Sequence, residues 1–210
     1  MKSVWLLLGV LTLFLKSSFD RTVQQNEGVS HVNAAIPFTN HLIVRDDLFW
    51  LAFSLFGALF VTHHLREKAV LYPFFAGRVT SRIHIIKREI IDIYLWTSLY
   101  VIVGILATSW MGSFTKGTFF TYIYVWLAQC LIVILLVILE NRHEHAFFIW
   151  IFVLLLSTVK ILSPYAPWMY GQAYLFFAKG NGLLETGILV ALSIIEISLY
   201  VTTRKRSSWL

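Results

Sequence analysis

Apolar blocks about twenty residues long recur along this chain, and they restrict it to one kind of fold. Ile90 to Trp110, Phe119 to Leu139 and Leu184 to Thr202 each hold at most two charged residues. A helix of about 20 apolar residues crosses the hydrocarbon of a bilayer. Hydrophobic residues make up 58% of the sequence, charged residues only 13%, and mean hydropathy is +0.74. Soluble domains carry roughly a quarter charged residues. The reading is an all-α polytopic membrane protein with six transmembrane helices, and residues 1–210 form a single transmembrane domain. The apolar runs are continuous, unlike the alternating segments of about ten residues found in a membrane barrel.

The first block, Val4 to Leu15, is short and lies between Lys2 and Lys16. A basic start and a short apolar run also fit a signal peptide. No small-residue cleavage site follows cleanly, so it is read as a retained first helix, lengthened by snorkelling of the two lysines. Residues 17–46 are polar and form an extracytoplasmic loop. The second span is about Asp47 to Thr62, and the basic segment 63–89 follows. Spans three, four and five are about Ile90 to Trp110, Phe119 to Leu139 and Ala146 to Leu162. Residues 163–183 contain Pro164, Pro167, Trp168 and Tyr170 and end near Gly180-Asn181-Gly182. They read as a short re-entrant or interfacial element between helices five and six, because Trp and Tyr favour the headgroup level. The sixth span is about Leu184 to Thr202.

Charge sets the orientation. Lys2, Arg66, Lys68, Arg78, Arg82, Lys87, Arg88, Arg142, Arg204, Lys205 and Arg206 fall on one side. Lys16, Arg21, Arg45, Lys116 and Lys179 fall on the other. The positive-inside bias puts both termini in the cytoplasm and the protein in the cell membrane as a multi-pass chain, with bacterial inner membrane the expected site. The net charge of +6 does not indicate nucleic acid, since it is concentrated at membrane-flanking loops rather than in a separate basic domain.

The segment 63–89 is the most patterned. Val79, Ile83, Ile86, Ile90 and Ile93 recur every three or four residues, which is one helical face. Arg82, Lys87 and Arg88 lie off that stripe. Such a helix rests its apolar side on membrane or protein and turns its basic side to water, lipid phosphate or a partner. A simple positive anchor is the plain alternative. Tyr72, Phe74 and Phe75, framed by Pro73 and Gly77, argue for more, because clustered aromatics on a loop need something to bury them.

Two ionisable residues fall within spans. Glu196 and Lys160 each cost roughly 2.5–3.5 kcal/mol on insertion scales at mid-bilayer. Lys160 is near the outer end of its span and Glu196 nearer the inner end, so they are not read as a pair; both are candidates for a substrate path. A packed, hydrogen-bonded role is the plain alternative for Glu196. Asp92 is expected to pair with Arg88, and Glu140 with Arg142. His63-His64 and His143-Glu144-His145 lack the spacing that puts two ligands on one helical face, so no metal site is expected. Cys130, the single cysteine, reads as a small buried hydrophobe. The chain has no G-x-x-x-x-G-K-[ST] phosphate loop, and no enzymatic activity of its own is expected.

The layout resembles the membrane subunit of an ABC-2 type transporter. Leu71-Tyr72-Pro73-Phe74-Phe75-Ala76-Gly77-Arg78-Val79-Thr80-Ser81-Arg82 is similar to the coupling region of small bacterial peptide- and lantibiotic-export or immunity permeases. In those, an aromatic stretch precedes an Arg-x-x-Ser-Arg-like step, matched here by Arg78, Ser81 and Arg82; Lys87 and Arg88 extend the pattern. The resemblance implies a cytoplasmic coupling helix between helices two and three that docks on a cytosolic ATPase subunit. It further implies ATP and Mg bound on that partner, no cofactor in this chain, and a second permease subunit, either a copy or a paralogue. The substrate would be an amphipathic peptide or a lipid-like molecule. Many such permeases start with an amphipathic surface helix before span one, which this sequence lacks ahead of Val4. An accessory immunity or assembly protein without transport, and a membrane-embedded lipid-modifying enzyme, are the alternative functions.

Overall fold

A computed structural model describes residues 2–27, 46–69, 82–111, 116–140, 146–157 and 182–206. All of them are helical: α1 (Lys2–Glu27), α2 (Asp46–Ala69), α3 (Arg82–Met111), α4 (Lys116–Glu140), α5 (Ala146–Ser157) and α6 (Gly182–Arg206). Among the described residues one stretch, Ile83–Ala107 in α3, is long and apolar enough to cross a membrane. Ser3–Lys16 and Val125–Leu139 are shorter apolar stretches.

The bundle is built around α4, which packs against α2, α3, α5 and α6. Its middle is buried almost all round: Val125, Ala128, Gln129, Cys130, Leu131, Ile132, Val133, Ile134 and Leu136. A helix apolar on every side has no face to give to water, so it takes the centre. Two tryptophans hold it through their indole N–H groups. Trp150 of α5 is fully buried and donates to the Ile132 carbonyl at 3.1 Å. Trp126 donates to Ser98 Oγ of α3 at 2.9 Å.

Helix directions follow from the contacts. Gly9 lies against Tyr100, and Leu13 against Gly104, so α1 and α3 run parallel. Phe53 meets Tyr100, while His64 stacks on Trp96 and Lys68 pairs with Asp92, so α2 runs antiparallel to α3. Glu89, near the start of α3, meets Tyr200 and Arg204, near the end of α6. The start of α1, the end of α2, the start of α3 and the end of α6 therefore share one end of the bundle. These are the ends rich in Lys and Arg.

Hydroxyl groups inside the helices bond back to carbonyls four residues earlier. Thr12 donates to Leu8, Thr62 to Ala58 and Thr203 to Leu199, at 2.7–2.8 Å. Such bonds let a Ser or Thr sit in apolar surroundings without an unmet donor.

Several boundaries differ from the sequence reading. Helix α1 does not stop at Lys16; it runs through residues 17–27, and only 28–45 of the expected loop lies outside the described residues. Lys16 is buried, 3% exposed, so it does not snorkel outward. The segment 63–89 is also mostly helix: 63–69 complete α2 and 82–89 open α3. Residues 82–93 form no separate helix, because no Gly or Pro interrupts the chain from Arg82 to Val103 and the apolar period continues unbroken. Residues 70–81, the outer part of the fifth span after Ser157 and the element 163–181 lie outside the described residues.

Candidate functional site

The apolar stripe at the start of α3 carries acids on its buried side. Ile86 and Ile93 are buried, and so are Glu89 and Asp92, which fall between them at helical spacing. A buried carboxylate must be paired or it costs several kcal/mol. Both are paired, by different helices.

Glu89 is 3% exposed and sits in a bidentate clamp. Arg204 of α6 donates through Nη2 to Oε1 at 2.7 Å and through Nε to Oε2 at 3.1 Å. Tyr200, one turn earlier on α6, donates its hydroxyl to Oε2 at 2.6 Å. Burial by itself lowers the Arg204 guanidinium, but the Glu89 carboxylate and Tyr200 outweigh it, and the group is raised above its ordinary value. The fork-shaped contact fixes α6 on α3 in both distance and rotation.

Asp92 pairs through Oδ1 with Lys68 Nζ of α2 at 2.7 Å. The expected partner, Arg88, instead points out to solvent on α3. Asp92 looks toward α2, where the last turn supplies a lysine across the helix pair. Its other oxygen, Oδ2, is buried and accepts no hydrogen bond among the described residues. Above this pair His64 lies flat on Trp96, with ring centroids 3.7 Å apart and 7° between planes, and Phe60 meets both edge-on. His63 approaches Glu67 at 3.5 Å one turn along α2. Among the described residues, no three His, Cys, Asp or Glu side chains converge as a metal site would need.

Further along the bundle Glu196 of α6 is partly buried. Its Oε2 is buried and meets no hydrogen-bond partner among the described residues. Tyr94 lies on an open apolar surface along α3 with Leu95, Ser98, Leu99 and Ile102.

Of the residues named from the sequence, Lys87 and Arg88 are exposed in the first turns of α3, and Arg82 is that helix's first residue. Tyr72, Phe74, Phe75, Arg78, Ser81 and Lys160 lie outside the described residues. Glu89, Tyr200 and Arg204 were not singled out, although Glu89 three residues after Ile86 places an acid on an apolar stripe. Its partner is 115 residues away, which no local pattern reveals.

No family model matches this chain, and no curated protein or solved structure does either.

Proposed function

We propose that this chain is a six-span, multi-pass protein of the cell membrane and works as the permease subunit of an ABC-type transporter. A separate cytosolic ATPase, carrying ATP and Mg, drives it, and a second permease subunit completes it. The cargo is an amphipathic peptide or a lipid-like molecule.

The membrane part of this reading is supported by what the bundle exposes. On α3, Ile91, Leu95, Leu99, Ile102, Leu106 and Trp110 form one outward stripe spaced by three and four residues. Phe148 and Phe152 on α5, and Val190, Ile194, Ile195 and Leu199 on α6, are exposed as well. Lone exposed apolar residues are ordinary, but continuous apolar faces on several helices need lipid or protein against them. Trp110, 91% exposed at the far end of α3, suits a headgroup boundary.

One observation carries the coupling part. Lys68–Asp92 and Arg204–Glu89 tie the ends of α2, α3 and α6 together at the basic end of the bundle. The segment 70–81, which holds the coupling-like residues, joins two of those tied ends. A force applied to it would reach three helices at once. Lys87 and Arg88 are exposed in the first turns of α3, outside the buried pairs, and offer an acidic partner a cationic rim.

The test is Arg78→Glu with Arg82→Glu, read by co-purification with the cytosolic ATPase in mild detergent. The double charge reversal is expected to abolish co-purification while the chain itself stays in the membrane. Undiminished recovery of the ATPase would remove the docking role.

A further inference from the structure

The outward side of α3 changes character once along its length. His84, Lys87 and Arg88 are exposed in its first two turns, and Ile91, Leu95 and Ile102 are exposed in the turns that follow. Steps of three, four and seven residues keep all six on one side of the helix. Among the described residues nothing pairs with the side chains of Lys87 and Arg88. Lys68 and Arg204, at the same end of the bundle, are by contrast held by Asp92 and Glu89, each at 2.7 Å.

The length of the apolar part agrees with a bilayer. Trp110, 91% exposed, marks the other end of α3. Between Arg88 and Trp110 the helix advances about 33 Å at its ordinary rise, close to the hydrocarbon thickness of roughly 30 Å. With the indole at one headgroup boundary, Lys87 and Arg88 stand at the phosphate level of the opposite leaflet.

We propose that this face binds an anionic glycerophospholipid, its phosphate on Lys87 and Arg88 and one acyl chain along Ile91, Leu95 and Ile102. Two unpaired cations in successive positions complement a headgroup with net negative charge. His84, one turn before Arg88, adds an imidazole donor to the same headgroup. A zwitterionic lipid brings its own cation beside the phosphate and gains less. A soluble acidic protein meets the cations but leaves the apolar continuation uncovered. The site deepens the reading above by naming a lipid partner. It rests on membrane embedding and not on the ATPase.

The test uses the purified full chain in non-ionic detergent, with no nucleotide and no partner. Cys130→Ala with Ile91→Cys carries a bimane fluorophore at position 91, and lipids with brominated acyl chains quench it on contact. Brominated phosphatidylglycerol is expected to quench at roughly tenfold lower mole fraction than brominated phosphatidylcholine. Lys87→Gln with Arg88→Gln is expected to bring the two lipids to the same value. High salt is expected to narrow the difference in the labelled chain that keeps both cations. With Leu106→Cys labelled instead, about 27 Å along the axis from Arg88, no preference is expected.

Equal quenching by the two lipids at position 91 would overturn the proposal. So would a preference that survives the double substitution or appears equally at position 106. Displacement of phosphatidylglycerol by glycerol 3-phosphate would overturn it too, since the acyl chain would then count for nothing. Should the double variant fail to fold, the salt and position-106 measurements decide. Absence of quenching by either lipid would overturn the membrane embedding, and this site with it. Failure of the lipid preference alone leaves ATPase docking untouched, and loss of docking in the Arg78 and Arg82 variants leaves this site standing.

Discussion

Tyr100 shows how one side chain can fix three helices. It is 2% exposed and its hydroxyl donates to the Phe53 carbonyl at 2.7 Å. Gly9 of α1 faces the ring, and a Cβ there would stand 2.7 Å from Tyr100 Cε2. Gly57 of α2 faces it too, with 2.6 Å to Cε1 and Gln129 also in the way. Real side-chain carbons do not approach this closely, so alanine at either position must displace the ring. Gly9→Ala and Gly57→Ala are expected to destabilise the bundle by about 1–3 kcal/mol. Gly187 is the control: among the described residues nothing lies within 4 Å of a Cβ placed there. Gly187→Ala is expected to be neutral or to stabilise by up to about 1 kcal/mol through helix propensity. Thermal unfolding in detergent ranks the three. Equal effects would mean that the two glycines do not hold the ring.

At the scale of elements, α3 is the helix on which the others register. Its buried face meets α1 through Tyr100 and Gly104, α2 through Trp96 and Asp92, α4 through Ser98 and α6 through Glu89. The Glu89–Arg204 pair is worth most as a pair. Removing one member leaves a buried charge, at a cost of roughly 3–5 kcal/mol. Glu89→Gln and Arg204→Met are each expected to destabilise strongly, and the double variant by less than their sum, in a double-mutant cycle of unfolding midpoints. Additivity would show that the two do not interact. The more exposed Lys68–Asp92 pair is worth less, on the order of 1 kcal/mol.

The apolar period of α3 and its far end near Trp110 were readable from the sequence, but its length was not: the span was read from Ile90, and the helix starts at Arg82. That 82–93 belong to the same rod follows from the absence of any breaker, yet the basic charges drew attention to a separate surface helix. Lys68 as the partner of Asp92 was not readable, because the choice between Arg88 and Lys68 depends on which way Asp92 faces. Helix α1 outlasts its apolar run for a related reason. Nothing in residues 17–27 breaks a helix, although their polarity ends the apolar block there.

Among the described residues most of the cations lie at one end of the bundle, and exposed apolar side chains run along α3, α5 and α6. If that end is cytoplasmic, single cysteines at positions 66 and 205, in a chain with Cys130 replaced by Ala, are expected to react with an impermeant maleimide in inside-out vesicles and not in right-side-out ones. Reaction from the outside would reverse the topology and with it the proposed coupling. Cys130 itself, 1% exposed at the centre of the bundle, is expected to stay unmodified in the unaltered chain until the fold melts.

The clamp on Glu89 also has a consequence for biogenesis. A ribosome makes Glu89 long before it makes Arg204, 115 residues later. At roughly 5–20 residues per second that interval is on the order of 10 s. Throughout it, Glu89 waits without its guanidinium. In a chain inserted as proposed, the charge stays uncompensated until α6 is made, and that interval is long enough for a chaperone or protease to recognise it.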